Sequence, residues 1–163
     1  MESKAKLLGH PIHPMLVVLP LGLFIAAVVF DASDLWRGST TLAAAAYWNI
    51  AAGIIGGLLA AVFGLIDWWA IPTGTRAKRI GLLHGGANVI VVLGFAAVWW
   101  MRSTAPEVGA TTTQFAIEVI ALMLGAVAGW LGGELVDRLG VGVDDGAHLD
   151  APNSLSGRPA RAR

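Results

Sequence analysis

The chain has 163 residues, of which 56% are hydrophobic and only 13% charged, with a mean hydropathy of +0.69. A soluble domain carries about a quarter charged residues, so this composition points to lipid rather than water as the main solvent. Lys plus Arg and Asp plus Glu each number 11, which leaves no basic surface for nucleic acid, and the lack of cysteine excludes disulfides, thiolate ligands and thiol nucleophiles.

Four apolar segments follow one another, at about residues 14–31, 45–67, 81–101 and 114–134. Each approximates the ~20 residues that cross a hydrocarbon core of ~30 Å, with tilt accommodating differences in length. The first follows a lysine-bearing head in the manner of a signal peptide, but its His-Pro pairs and the three later segments favour a retained helix. After Arg138 the chain turns to Gly, Pro, Ser, Asp and Ala, and residues 139–163 read as a flexible cytoplasmic tail. The expected fold is an all-α, up-down four-helix integral membrane bundle over residues 1–138.

Charge sets its orientation. Lys4, Lys6, Arg76, Lys78, Arg79 and Arg138 fall on one side of a four-span bundle, and Arg37 and Arg102 on the other. This bias predicts a multi-pass protein of the cell inner membrane with both termini cytoplasmic. Trp36, Trp48, Trp99 and Trp100 then group at the outer interface and Trp68, Trp69 and Trp130 at the inner one. Small residues form ridges at Gly56/Ala60/Gly64 and Gly125/Gly129/Gly133, suited to close packing within the bundle or to a homodimer.

Against this apolar background the ionisable groups stand out. In GHPIHPM each histidine precedes a proline, which disfavours helix at His10 and His13 and places Pro14 in the first turn, with His13 at the cap. Pro20 removes a hydrogen bond further in and should kink the same span. The second span descends to Asp67. The third rises through His84, with Asn88 one turn later on the same face. Up-down connectivity therefore brings His10, His13, Asp67, His84 and Asn88 to the cytoplasmic end, where scarce polar groups mark a functional site. Competing local roles are a cap for His10 and His13, pairing of Asp67 with Arg76 or Arg79, and a carbonyl or Asn88 partner for His84. Asp31, at the other end of the first span, is expected to cap or solvate a turn.

The stretches GHPIHPMLVVLPLGLF, IDWWAIPTGTRA and GLLHGGANV resemble the DUF2231 family of bacterial four-helix membrane proteins, over approximately residues 8–143. The resemblance implies a four-span membrane protein, often encoded near redox proteins, whose characteristic polar positions fall here at His10, His13, Asp67, His84 and Asn88. Members often carry a histidine just before the glycine that follows the last helix; this chain has Leu139 there.

Three imidazoles and a carboxylate suit a first-row transition metal (zinc, iron, copper or nickel), with His10, His13, Asp67 and His84 as ligands and Asn88 behind them. The alternative is haem b held between His13 or His10 and His84, with Gly81, Gly85 and Gly86 giving room for the macrocycle and electron transfer to a redox partner as the task. A third reading is proton or metal transport, for which no polar group at the midplane of the fourth span completes a path: Glu118 lies near its outer start and Glu134 near its inner end. No CxxC, GxGxxG, Walker, HExxH or GxSxG motif is present, so an enzymatic role has no motif behind it.

Overall fold

The computed structural model describes residues 1–162. A two-residue antiparallel pair, β1 (Lys6–Leu7) and β2 (His10–Pro11), precedes five helices: α1 (Ile12–Leu16), α2 (Val18–Arg37), α3 (Thr40–Ala70), α4 (Arg76–Met101) and α5 (Thr112–Gly133). Helices α1 and α2 together make the first membrane span, and α5 is prolonged by a π-helical turn over Glu134–Arg138 to complete the fourth. The protein is thus an all-α bundle with four membrane-spanning helices.

Local chemistry sets the ends of these helices. Pro20 has no N–H to give to Leu16, and α1 stops at Leu16 before the chain resumes as α2 after Val17. Gly38, at φ 64°, closes α2 and donates to the Asp34 carbonyl at 2.7 Å. The Ser39 and Thr75 hydroxyls cap α3 and α4 by accepting from Leu42 and Lys78, and Thr111 with Gln114 forms a reciprocal capping box on α5. Helix α3 ends where Ile71, extended at ψ 129°, meets Pro72. One detail departs from the expected start of the first span. Pro11 rather than His13 is the N-cap, and His13 and Pro14 both lie in the first turn, where the missing proline N–H has no intrahelical partner to lose.

Helix α2 packs on α3 and α4 on α5, giving two hairpins that meet along α3 against α4 and α2 against α5. Their contact is built from Phe24, Ala27, Ala46, Ile50, Val91, Phe95, Val98 and Ala121. Close approach depends on glycine: a Cβ on Gly53 would fall 2.5 Å from the Phe24 ring, and one on Gly56 2.9 Å from Leu19 Cβ. The Gly56/Ala60/Gly64 ridge is therefore covered by α1 and α2 of the same chain. The outward surface is apolar throughout, with Leu21, Val29, Ile55, Leu58, Ile90, Leu93, Ile120 and Met123 exposed, as lipid solvation demands.

The two hairpins repeat one another. Phe24, Ala27 and Asp31 follow His13 at the intervals at which Phe95, Val98 and Arg102 follow His84, and all six are buried. A second constant offset matches Ala46, Ile50, Gly53, Ala60 and Gly64 of α3 to Gln114, Glu118, Ala121, Ala128 and Gly132 of α5. Phe24 and Phe95 stack face to face, with centroids 4.0 Å apart and planes within 1°. Both hairpins run the same way, so the relation between them is a parallel repeat about an axis along the bundle.

Candidate functional site

The repeat brings two imidazoles together, edge to face, at the end of the bundle that carries the chain termini. His13 shares a hydrogen bond from Nδ1 to the Ala60 carbonyl at 2.8 Å, and His84 shares one from Nδ1 to the Ala128 carbonyl, also at 2.8 Å. A carbonyl only accepts, so each Nδ1 carries the proton and each Nε2 keeps its lone pair. The pits that admit the rings are matched as well. A Cβ on Gly64 would lie 2.8 Å from His13 Nδ1, and one on Gly132 would lie 3.1 Å from His84 Cε1. The ring centroids are 6.1 Å apart with planes at 83°. Asn88 donates from Nδ2 to the His84 carbonyl at 2.9 Å, and the same nitrogen stands 3.4 Å from His84 Nε2.

The other expected members of this cluster are engaged elsewhere. Asp67 accepts from the Ser3 hydroxyl at 2.9 and 2.8 Å and from the backbone N–H groups of Lys4 at 2.7 Å and Ala5 at 3.4 Å. It ties down the amino-terminal segment rather than pairing with Arg76, which reaches Glu134 at 2.6 Å instead. The tight turn at Leu8 and Gly9, with φ 51° and 85°, swings His10 to the exposed side of β2, where its Nε2 meets the Ser154 hydroxyl at 3.3 Å. Among the described residues, no group of three or more His, Asp or Glu side chains is placed to hold one metal ion. The structure thus brings together His13, His84 and Asn88 of the expected set, and leaves Asp67 and His10 in other bonds.

Gly81 also has a different use from the one expected. A Cβ there would fall 2.6 Å from Trp68, whose indole donates to the Lys78 carbonyl at 3.1 Å while Lys78 Nζ donates to the Trp68 carbonyl at 2.6 Å and sits 3.9 Å from its ring centre. Gly81 therefore makes room for an indole. Gly85 and Gly86 have open space at the Cβ position.

A second polar cluster lies at the opposite end of the bundle. Asp31, expected to solvate a turn, is fully buried and accepts from Arg102 Nη1 at 2.7 Å, while Arg102 Nη2 donates to the Ala43 carbonyl at 2.8 Å. Glu118, equally buried, stands 4.0 Å from the same Arg102 Nη1. The signal in the sequence is the interval: Asp31 and Arg102 follow His13 and His84 at equal distances.

No curated protein and no solved structure matches the chain. A family profile described as "Predicted membrane protein (DUF2231)" matches residues 9–145, a region that contains all four spans and both polar clusters. The chain belongs to the DUF2231 family of membrane proteins.

Proposed function

We propose that the protein holds a transition-metal centre between His13 and His84, on the axis that relates its two hairpins. The observation that carries this reading is the matched pair of imidazoles, each fixed through Nδ1 by a helix carbonyl, so that the Nε2 lone pair is the one to ligate, at His84 in exchange for its 3.4 Å hydrogen bond from Asn88 Nδ2. Outer bonds of this kind orient histidine ligands and raise their basicity. With their centroids 6.1 Å apart, the two rings are close enough that one metal ion could take a ligand from each. Two protein ligands fall short of the three or four that bare zinc takes. They match haem iron, which brings four ligands of its own, so haem b with electron transfer as its task is the form the ligand count favours.

A bare ion is the second reading, and the closeness of Asn88 Nδ2 to His84 Nε2 favours it, since a polar side chain beside the lone pair leaves less space for a macrocycle. Its remaining ligands would come from water. The cation bias supports a position for the centre beside the cytoplasmic leaflet. An absorption spectrum and metal analysis of untagged, detergent-purified protein test both forms. A Soret band supports haem; a stoichiometric metal without one supports the bare ion. Protein that stays free of both after supplementation with haem and with each metal overturns the proposal.

A further inference from the structure

The cluster at the far end has one charge too many for a sealed site. Asp31 and Glu118 are carboxylates, Arg102 is the cation between them, and Asp31 and Glu118 have no exposed surface. A guanidinium stays charged at any physiological pH. With both carboxylates ionised the cluster would hold a net negative charge away from water, and an unmatched buried charge costs several kcal/mol. Hydrogen bonding is unbalanced in the same sense. Both oxygens of Glu118, Oδ1 of Asp31 and Nε of Arg102 have no hydrogen-bond donor or acceptor opposite them among the described residues, although the Glu118 carboxyl lies against that of Asp31 and 4.0 Å from Arg102 Nη1.

We propose that Glu118 and Asp31 form a proton-binding site, in which a single proton is held on Glu118 and donated toward the unpartnered Asp31 Oδ1. The proton removes the excess charge and turns an acceptor-only pair into a donor and an acceptor. A metal cation would answer the charge as well, but it would have to sit against the guanidinium, whose Nη1 already occupies Asp31 Oδ2. The charged groups facing the pair are Arg102, at the end of α4, and Asp34, one turn beyond Asp31 on α2; from α3 the Ala43 carbonyl is bound to Arg102. The repeat makes Glu118 the counterpart of Ile50, so the acid has no mate across the axis and is an addition to one hairpin only. The apolar layer containing the Phe24 and Phe95 stack separates it from the imidazole pair, so the proton exchanges with the far face of the bundle. Carboxyl groups inside membrane bundles serve as proton relays for this reason.

Infrared spectroscopy of the full chain in lipid, at neutral pH, tests the site. The expected result is a carbonyl band of a protonated carboxylic acid that shifts in deuterated buffer, is lost in Glu118→Gln and persists in Glu107→Gln, which alters an exposed loop residue. Persistence of the band in Glu118→Gln overturns the proposal. So does its absence from the wild-type protein, a result that stands even where Glu118→Gln fails to fold. Loss of the wild-type band on adding sodium or calcium at constant pH assigns the site to a cation and overturns it as well.

Discussion

The tautomer of each facing imidazole is set by one backbone oxygen, Ala60 for His13 and Ala128 for His84. The glycine one turn beyond each carbonyl decides whether the ring fits. Alanine at position 64 would put a methyl group 2.8 Å from His13 Nδ1, and at position 132 it would sit 3.1 Å from His84 Cε1. Gly64→Ala is therefore expected to cost about 1–3 kcal/mol of stability by overpacking and to weaken metal binding about 10–100-fold by turning the ligand; Gly132→Ala should act in the same direction but less. Thermal melts and metal titrations of the two variants check this. The pairing of His13 with His84 and Asn88 was legible because alternating spans must return the third helix beside the first. The carbonyl partners and glycine pits were not, since they depend on rotation of each helix about its own axis. His10 was misplaced because a two-residue turn with positive φ at Leu8, a non-glycine residue, reverses the chain just before the helix. Asp31 was misjudged because an acid at the end of an apolar run looks the same in sequence whether it meets water or a buried arginine.

The elements at the terminal end are held by a few directional bonds. The Asp67 carboxylate, at the foot of α3, gathers Ser3, Lys4 and Ala5. Replacing Asp67 with Ala should reduce hydrogen-exchange protection of the Lys4 and Ala5 amides by about 1.5–3 kcal/mol, the range for bonds to a charged acceptor, while leaving the His13 and His84 centre able to bind. The start of the tail bonds to this segment: the Met1 ammonium donates to the Gly140 carbonyl at 2.9 Å, and Lys6 pairs with Asp144 and Glu2. Lys6 and the Asp145 N–H hold Glu2 below its ordinary 4.5, so its contribution to docking is present above that value and lost as pH falls through the lowered one. Asp144 and then Glu2 hold Lys6 above its ordinary 10.5; that contribution is complete below 10.5 and lost as pH rises through the raised value. Limited proteolysis of residues 140–146 should accordingly speed up at both extremes and stay slow between them. Helix existence and order were legible from hydropathy. The docked tail was not, because its contacts are isolated polar pairs without periodicity.

At the scale of the molecule, two hairpins of one design surround a common axis, with imidazoles at one end, stacked phenylalanines in the middle and a carboxylate–guanidinium cluster at the other. The repeat is faint in the sequence because identical residues, His13 and His84, Phe24 and Phe95, Ala60 and Ala128, Gly64 and Gly132, are scattered among equivalent positions that differ, such as Asp31 against Arg102 and Ile50 against Glu118. Since Phe24 and Phe95 occupy equivalent places, Phe24→Ala and Phe95→Ala should each cost about 3–5 kcal/mol, and the double variant less than their sum because each already removes the stack; denaturation in matched detergent measures all three. The central claim is that His13 and His84 act as a pair while His10 and Asp67 stand apart from it. Bound metal per protein and the absorption spectrum, recorded together for the wild type and for the His13→Ala, His84→Ala, His10→Ala and Asp67→Ala variants, test it most directly. The first two variants are expected to lose the centre and the last two to keep it; retention of the centre in His13→Ala or His84→Ala, or its loss in His10→Ala or Asp67→Ala, overturns the pairing.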